Sequence, residues 1–230
     1  MIQITNEDNM QLMARYEDNH FELAIVDPPY RDENQPTKDM RNNGSMQSLE
    51  GRPNKEYFNE LYRVSKNQII WGANNFQLPQ FKGFFVWDKG IPFNFTMSMS
   101  EIASLSEGIG TISKIWKFRI AGAENRIHPT QKPVKLYEKL LMTYATCKTC
   151  NNEGGYYEDV AGDGGSRMWQ PCEDCDGETV KILDTHLGSG SIALACHNLK
   201  YDLTACELDK EYYEASLKRL KIHQQQLTMF

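Results

Sequence analysis

The sequence predicts an α/β fold built on a parallel sheet, and three stretches carry that prediction. Leu23-Ala24-Ile25-Val26 is a continuous apolar run that ends in Asp27-Pro28-Pro29-Tyr30; such a run reads as a strand buried on both faces. Val180 to Asp184 runs into Thr185-His186-Leu187-Gly188-Ser189-Gly190-Ser191 and then an apolar helix over 192–199, a strand, glycine turn and helix in succession. Tyr201 to Glu207 is another strand that ends in an acid, about 20 residues past the glycine turn, where a ribose-binding carboxylate is expected. In open α/β sheets, ligands sit at the carboxyl ends of the strands.

The chain has 230 residues, enough for one α/β domain, and its 40% hydrophobic content permits a core. The N-terminal stretch is polar and acidic, which predicts no signal peptide. No apolar run approaches the ~20 residues of a membrane span, so a soluble cytoplasmic protein is expected, with no membrane partner. The formal net charge is −6. Residues 147–180 hold two basic side chains and eight acids, which leaves the rest of the chain balanced. Residues 111–139 then carry seven lysines and arginines against Glu124 and Glu138, a face available for phosphates or simply for water.

In chain order, a short strand precedes a helix around Met10 to Tyr16, and His20 reads as a surface or loop residue. Residues 31–54 form a long polar stretch without periodicity; a disordered insertion and a segment that orders over a substrate are both open readings. Lys55 to Val64 has helical apolar spacing. Strands are expected at 68–72 and 83–89, with Trp71 and Trp87 in the core and Asn74 and Asp88 just past strand ends. Residues 101–106 and 112–118 read as a further strand pair, with Glu101 at its start. His128-Pro129-Thr130-Gln131-Lys132-Pro133 is a proline-braced loop that enters an amphipathic helix with Val134, Tyr137, Leu140 and Leu141 on one face. Asp209 reads as the N-cap of a last helix from Lys210 to His223, and Cys196 and Cys206 as core.

Asp27 to Tyr30 carries the chemistry. Neither proline has an N–H, and Pro28 keeps Asp27 out of the helical region. A fixed carboxylate, an unclaimed carbonyl and an aromatic face thus meet at a strand end. An exocyclic amine of a heterocycle is a poor nucleophile because its lone pair is delocalised. Asp27 and the Pro28 carbonyl, accepting its two N–H bonds, favour the tetrahedral nitrogen and stabilise the positive charge that develops on it. Tyr30 is placed to stack on a flipped base. A strand closed by a proline turn is the plain structural alternative.

Cys147-Lys-Thr-Cys150 and Cys172-Glu-Asp-Cys175 are two Cys-x-x-Cys pairs whose intervening residues are loop-like over 151–155 and 159–166. That spacing in a cytosolic protein predicts a closed four-thiolate structural zinc site. It marks residues 147–176 as a zinc-knuckle insert. The remainder, 1–146 and 177–230, forms one domain.

Taken together, Asp27-Pro28-Pro29-Tyr30, then His128 to Pro133, then Asp184 with Gly188 and Gly190, then Glu207-Leu208-Asp209, resemble the DNA amino-methyltransferases that use S-adenosylmethionine. The motif order resembles their beta class, with the catalytic half first and the cofactor half last. The resemblance implies a circularly permuted, Rossmann-like sheet of about seven strands. It implies that Asp27, Pro28 and Tyr30 hold the target base, with Asp27 also against the cofactor. Asp184, Gly188 and Gly190 would cradle the methionine part, Glu207 with Asp209 beside it would serve the ribose end, and Thr130 and Lys132 would close over the methionine. The family's usual Asp-Pro-Phe is Asp184-Thr185-His186 here, so His186 takes the place of the aromatic that lines the cofactor pocket. Asp at the first position of the catalytic motif resembles the adenine-N6 enzymes; the cytosine-N4 enzymes more often carry Ser. The implied partner is double-stranded DNA with a flipped base, and family analogy alone adds a homodimer. Only residues 90–127 are free to read sequence, which implies a short recognition site. An orphan or phage-like enzyme, in a bacterial or phage-infected cell, is the resulting expectation. A cytosine-N4 enzyme and a non-catalytic zinc-binding interaction module are the competing readings.

Overall fold

The computed structural model describes residues 1–30, 33–34, 49–96, 98–119, 126–128, 130–147, 150, 155–159, 167–173 and 180–227. The strands are β1 (Ile2–Thr5), β2 (Phe21–Val26), β3 (Glu33–Asn34), β4 (Leu49–Glu50), β5 (Ser65–Trp71), β6 (Gly83–Asp88), β7 (Ser100–Leu105), β8 (Lys114–Lys117), β9 (Gly155–Asp159), β10 (Arg167–Pro171), β11 (Lys181–Asp184) and β12 (Asp202–Cys206). The helices are α1 (Asn9–Met13), α2 (Lys55–Val64), α3 (Val134–Tyr144), α4 (Ser191–Leu199) and α5 (Lys210–Leu227).

Eight strands form one sheet in the order β1-β12-β11-β2-β5-β7-β6-β8. The first five are mutually parallel, β7 is antiparallel to both its neighbours, and β8 is parallel to β6. The strand that carries Asp27 therefore lies between β11 and β5, well inside the sheet. Its apolar run is continuous because both faces are covered. Leu23 and Ile25 pack in one cluster with Leu136, Leu140 and Leu141 of α3 and Ile192 of α4. Ala24 and Val26 pack in the other with Leu12 and Met13 of α1 and Phe58 and Leu61 of α2. Burying a large aliphatic side chain contributes about 1.5–3 kcal/mol, so this alternation pins the register from which Asp27 emerges.

Two expectations change. Residues 101–106 and 112–118 do not pair with each other. β7 already has β5 on one edge and β6 on the other, so β8 is left to pair beyond β6. The connection crosses close under the start of β6, where a Cβ on Gly83 would meet the Gly110 carbonyl oxygen at 2.5 Å. In the cysteine segment, β9 and β10 pair antiparallel, with Trp169 opposite Tyr157. The first helix is also shorter than its periodicity suggests. Asp8 caps its start, and tighter bonds from the Arg15 and Tyr16 N–H groups to Leu12 and Met13 carbonyls close it. Most of 31–54 lies outside the described residues. Among the described residues, no helix is long and apolar enough to cross a membrane.

Candidate active site

The carboxyl ends of β2, β11 and β12 open on one cavity of about 950 Å³. Asp27, Tyr30, Lys132, His186, Gly188 and Glu207 all line it. The carboxylate of Asp27 is fixed from two sides: the Tyr30 hydroxyl donates to Oδ1 at 2.7 Å, and the Lys132 ammonium donates to Oδ2. Lys132 is only 3% exposed and also stands 3.0 Å from Glu101 Oε2, while Lys89 stands 2.5 Å from Glu101 Oε1. The Lys132 ammonium further lies 5.1 Å from the centroid of the Trp71 ring. Burial disfavours its charge, but Asp27 and Glu101 more than offset this and hold its pKa above the usual lysine value. Burial likewise pushes Glu101 up, and the two lysines overcome it, so its carboxyl sits below the ordinary range. The formal charges of Asp27, Glu101, Lys89 and Lys132 sum to zero, so each buried charge has a partner.

Lys132 is buried against the Asp27 carboxylate. Thr130, by contrast, is exposed, and its hydroxyl and N–H meet His128 Nδ1 at 3.2 and 3.3 Å. An N–H donor at Nδ1 makes that nitrogen an acceptor and leaves the proton on Nε2. Burial, helped by the Lys132 charge, lowers the His128 pKa to about 4, so the ring is neutral.

Tyr30 is held by the absence of a side chain. Gly72, at φ +66°, follows β5, and a Cβ there would collide with the Tyr30 ring. Gly72→Ala therefore strains the backbone by about 1–2 kcal/mol and displaces Tyr30 from Asp27. A fall in turnover with a lower urea midpoint is the expected result; unchanged kinetics would show that Tyr30 position is unimportant.

On the opposite wall, Gly188 has φ +53°, and its N–H donates to Glu207 Oε2 at 2.7 Å; the Asp209 N–H donates to Oε1 at 2.9 Å. Burial raises the Glu207 pKa against the pull of those two N–H bonds. Each oxygen keeps a lone pair for a hydroxyl. Asp209 also caps α5 through the Glu211 and Tyr212 N–H groups, so its carboxylate is engaged in the helix start. Asp184 and Gly190 stand behind the wall. Asp184 is 2% exposed and accepts the His186 N–H at 2.9 Å, bracing the turn; burial pushes its pKa up to about 8. Gly190, at φ +70°, makes room for α5, since a Cβ would meet Ser216 Cβ at 3.0 Å.

His186 packs edge-on against Tyr57 with ring centroids 5.2 Å apart, as an aromatic would. It adds a hydrogen bond, for the Asn9 side-chain amide donates to Nε2 at 3.2 Å. Burial lowers its pKa to about 3, so it lines the wall as a neutral ring. Sequence reasoning missed Glu7, Asp8 and Asn9 on this wall, and Tyr137 beside Asp27, because their spacing reads as a plain helix entry and a core stripe. Glu101 had one legible signal, an acid at the start of an otherwise apolar strand.

Away from the cavity, the Sγ atoms of Cys147, Cys150 and Cys172 all lie within 4.8 Å of one another, and Cys147 and Cys172 are 3.6 Å apart. Tetrahedral thiolates about 2.3 Å from zinc stand about 3.8 Å apart, so the three fit corners of such a site. Cys175 lies outside the described residues.

Fold and site together define a Rossmann-like α/β protein with an acid-Pro-Pro-aromatic strand end and a glycine turn on opposite walls of one cavity. A family model described as DNA methylase, of the N6/N4 type, matches residues 94–218, more than half of the chain. The chain belongs to that family, the DNA amino-methyltransferases. The matched span holds Lys132, Gly188 and Glu207 but not Asp27. No curated protein sequence matches. Among solved structures, the M1.HpyAVI-SAM complex is 20% identical with a TM-score of 0.54, covering 96% of this chain and 100% of that one. The cytosine-N4-specific PvuII DNA methyltransferase is 11% identical with a TM-score of 0.56, covering 95% and 86%. TTHA0409 from Thermus thermophilus, complexed with S-adenosyl-L-methionine, is 12% identical with a TM-score of 0.52, covering 97% and 94%. At these identities the likeness is one of fold.

Proposed function

We propose that this chain transfers a methyl group from S-adenosylmethionine to the N6 amine of adenine in double-stranded DNA. The observation that carries it is Asp27, held by Tyr30 and Lys132 with its carboxylate in the cavity. S-adenosylmethionine, named in the M1.HpyAVI and TTHA0409 complexes, supplies an electrophilic methyl on a sulfonium. Glu207 is suited to the ribose diol, and the Gly188 turn to the backbone-close part of the molecule. Asp27 and the Pro28 carbonyl accept the two amine N–H bonds of the flipped base. The nitrogen lone pair then forms the new N–C bond, the C–S electrons stay on sulfur, and the extra proton passes from the product nitrogen to water. Asp27 stabilises that nitrogen's transient positive charge. Adenine is favoured over cytosine by the Asp at the head of the motif.

The test is direct. The purified protein is given labelled cofactor and unmethylated duplex DNA, and the DNA is hydrolysed to bases. Label in N6-methyladenine supports the proposal, label in N4-methylcytosine replaces it with the N4 reading, and no label removes methyl transfer altogether.

The zinc insert belongs to the same proposal: Cys147, Cys150 and Cys172, with Cys175 as fourth ligand, hold one structural ion. Metal analysis of the purified chain is expected to give one zinc per chain, and Cys150→Ser to lose it with faster proteolysis between 147 and 180. A chain with no bound zinc and an equally resistant insert would refute the assignment.

A further inference from the structure

β6 runs in the same direction as β2, because β5 is parallel to β2 and both β5 and β6 are antiparallel to β7. The Asp88 end of β6 thus opens on the same sheet edge as Asp27, and the connection from β6 to β7 starts and ends on that edge. Its root is tied into the site. Lys89 binds Glu101, Glu101 meets Lys132, and Lys132 holds Asp27. The Asp88 carboxylate accepts the Gly90 N–H at 2.8 Å, and the Lys89 N–H donates to the Met99 carbonyl at 2.9 Å. Further out is a turn closed by the Phe95 N–H on the Pro92 carbonyl at 3.1 Å.

That anchored turn carries two bare rings: Phe93 is 91% exposed and Phe95 58%. Cations stand at the root of the same connection: a Cβ on Gly90 would lie 3.5 Å from Arg119 Cβ and 3.6 Å from Lys117 Cε, and both of those residues are exposed. Large rings offered to water on a connection whose root carries exposed positive charge suit a polyanion with a stacked apolar interior.

We propose that Phe93 and Phe95 form the wedge that enters the DNA base stack as the target nucleotide leaves it, with Lys117 and Arg119 on the neighbouring phosphates. This rests on the DNA reading above. A base that reaches Asp27 must abandon its stack, and the gap opens at the edge where these rings stand. Apolar side chains inserted at a base step offset part of the unstacking cost. A second copy of the chain is a poorer occupant, since pairing two such tips would bring like charges together.

The site methylated by the wild-type protein is first mapped by sequencing DNA from expressing cells. A duplex oligonucleotide carrying it is then compared with the same duplex bearing an abasic position opposite the target, which pre-pays the unpairing. The double variant Phe93→Ala, Phe95→Ala is expected to lose about tenfold or more in kcat/KM on the paired duplex and to recover most of it on the abasic one. Phe93→Trp with Phe95 intact should keep wild-type rates on both. Equal rates of the double variant and wild type on paired DNA, or an equal loss on both duplexes, overturn the wedge. So does a change in solution mass on removing the rings, which would assign them to self-association. A wild-type protein that methylates no DNA overturns the functional reading itself, and the wedge with it.

Discussion

Asp27→Ala is expected to bring methyl transfer close to background while the protein remains folded and binds S-adenosylmethionine. In the proposed reaction the carboxylate faces the amine, and in the structure it is preorganised by Tyr30 at 2.7 Å and by Lys132. Preorganised groups of this kind are typically worth about 10²- to 10³-fold in kcat when one is removed. The loss falls on kcat more than on KM, because the charge it serves exists only as the N–C bond forms. Asp27→Asn keeps the shape but turns one acceptor into a donor facing an N–H, so it is expected to fare little better. The fold survives because Lys132 keeps Glu101 as a partner, 3.0 Å away. The measurement is single-turnover label transfer beside calorimetric titration with the cofactor. Turnover within about twofold of wild type would show that another group supports the amine, and lost cofactor affinity would make Asp27 a binding residue instead.

What the sequence disclosed and what it hid follow from one distinction. Signals of local geometry were legible. The apolar run before Asp27 required a strand covered on both faces, and Leu23 with Ile25 and Ala24 with Val26 do pack into separate clusters. Glycines that need positive φ and the acid beyond them met on one wall, where the Gly188 N–H binds Glu207. Long-range electrostatics were hidden. The motif marks Lys132 as a site residue and Glu101 reads as the start of a strand, but the ion pairs that join Glu101 to Lys132 and Lys132 to Asp27 are not legible until the sheet order puts β7 beside β5. Pairing partners of edge strands were hidden for the same reason: nothing local in residues 112–118 tells that β7 is already occupied on both sides. Asp184 and Gly190 also have structural work that the motif does not disclose: one braces the turn and the other clears space for α5.

Lys132→Met is expected to destabilise the fold as well as slow the reaction, and the pH dependence separates the two. Methionine is an unbranched side chain close to the lysine stem in length, so the change is chiefly one of charge. It leaves Asp27 and Glu101, 15% and 24% exposed, as neighbouring carboxylates with only Lys89 to answer them. Removing one partner of a buried pair costs about 3–5 kcal/mol, and the partial exposure here places the loss at the lower end. Folding raises the pKa of Lys132, so its contribution is whole below the ordinary lysine value and fades only as pH climbs through the still higher folded one. Folding lowers that of Glu101, so its share is present above the ordinary glutamate value and is lost as pH falls through the depressed one. Between about pH 5 and 10 both hold, and the gap between wild type and variant should be widest and flat there. As pH falls through the depressed Glu101 value it should close, because the wild type loses the Glu101 ion pairs while Glu101 in the variant takes up its proton and stops repelling its neighbour. Adding Glu101→Gln to Lys132→Met removes one of the stranded charges, so the double variant should be more stable than the two single losses sum to. Urea unfolding at a series of pH values measures all of this. A Lys132→Met protein as stable as wild type at neutral pH, or a deficit that persists unchanged in acid, would mean that the network's charge is not what holds Asp27 in place.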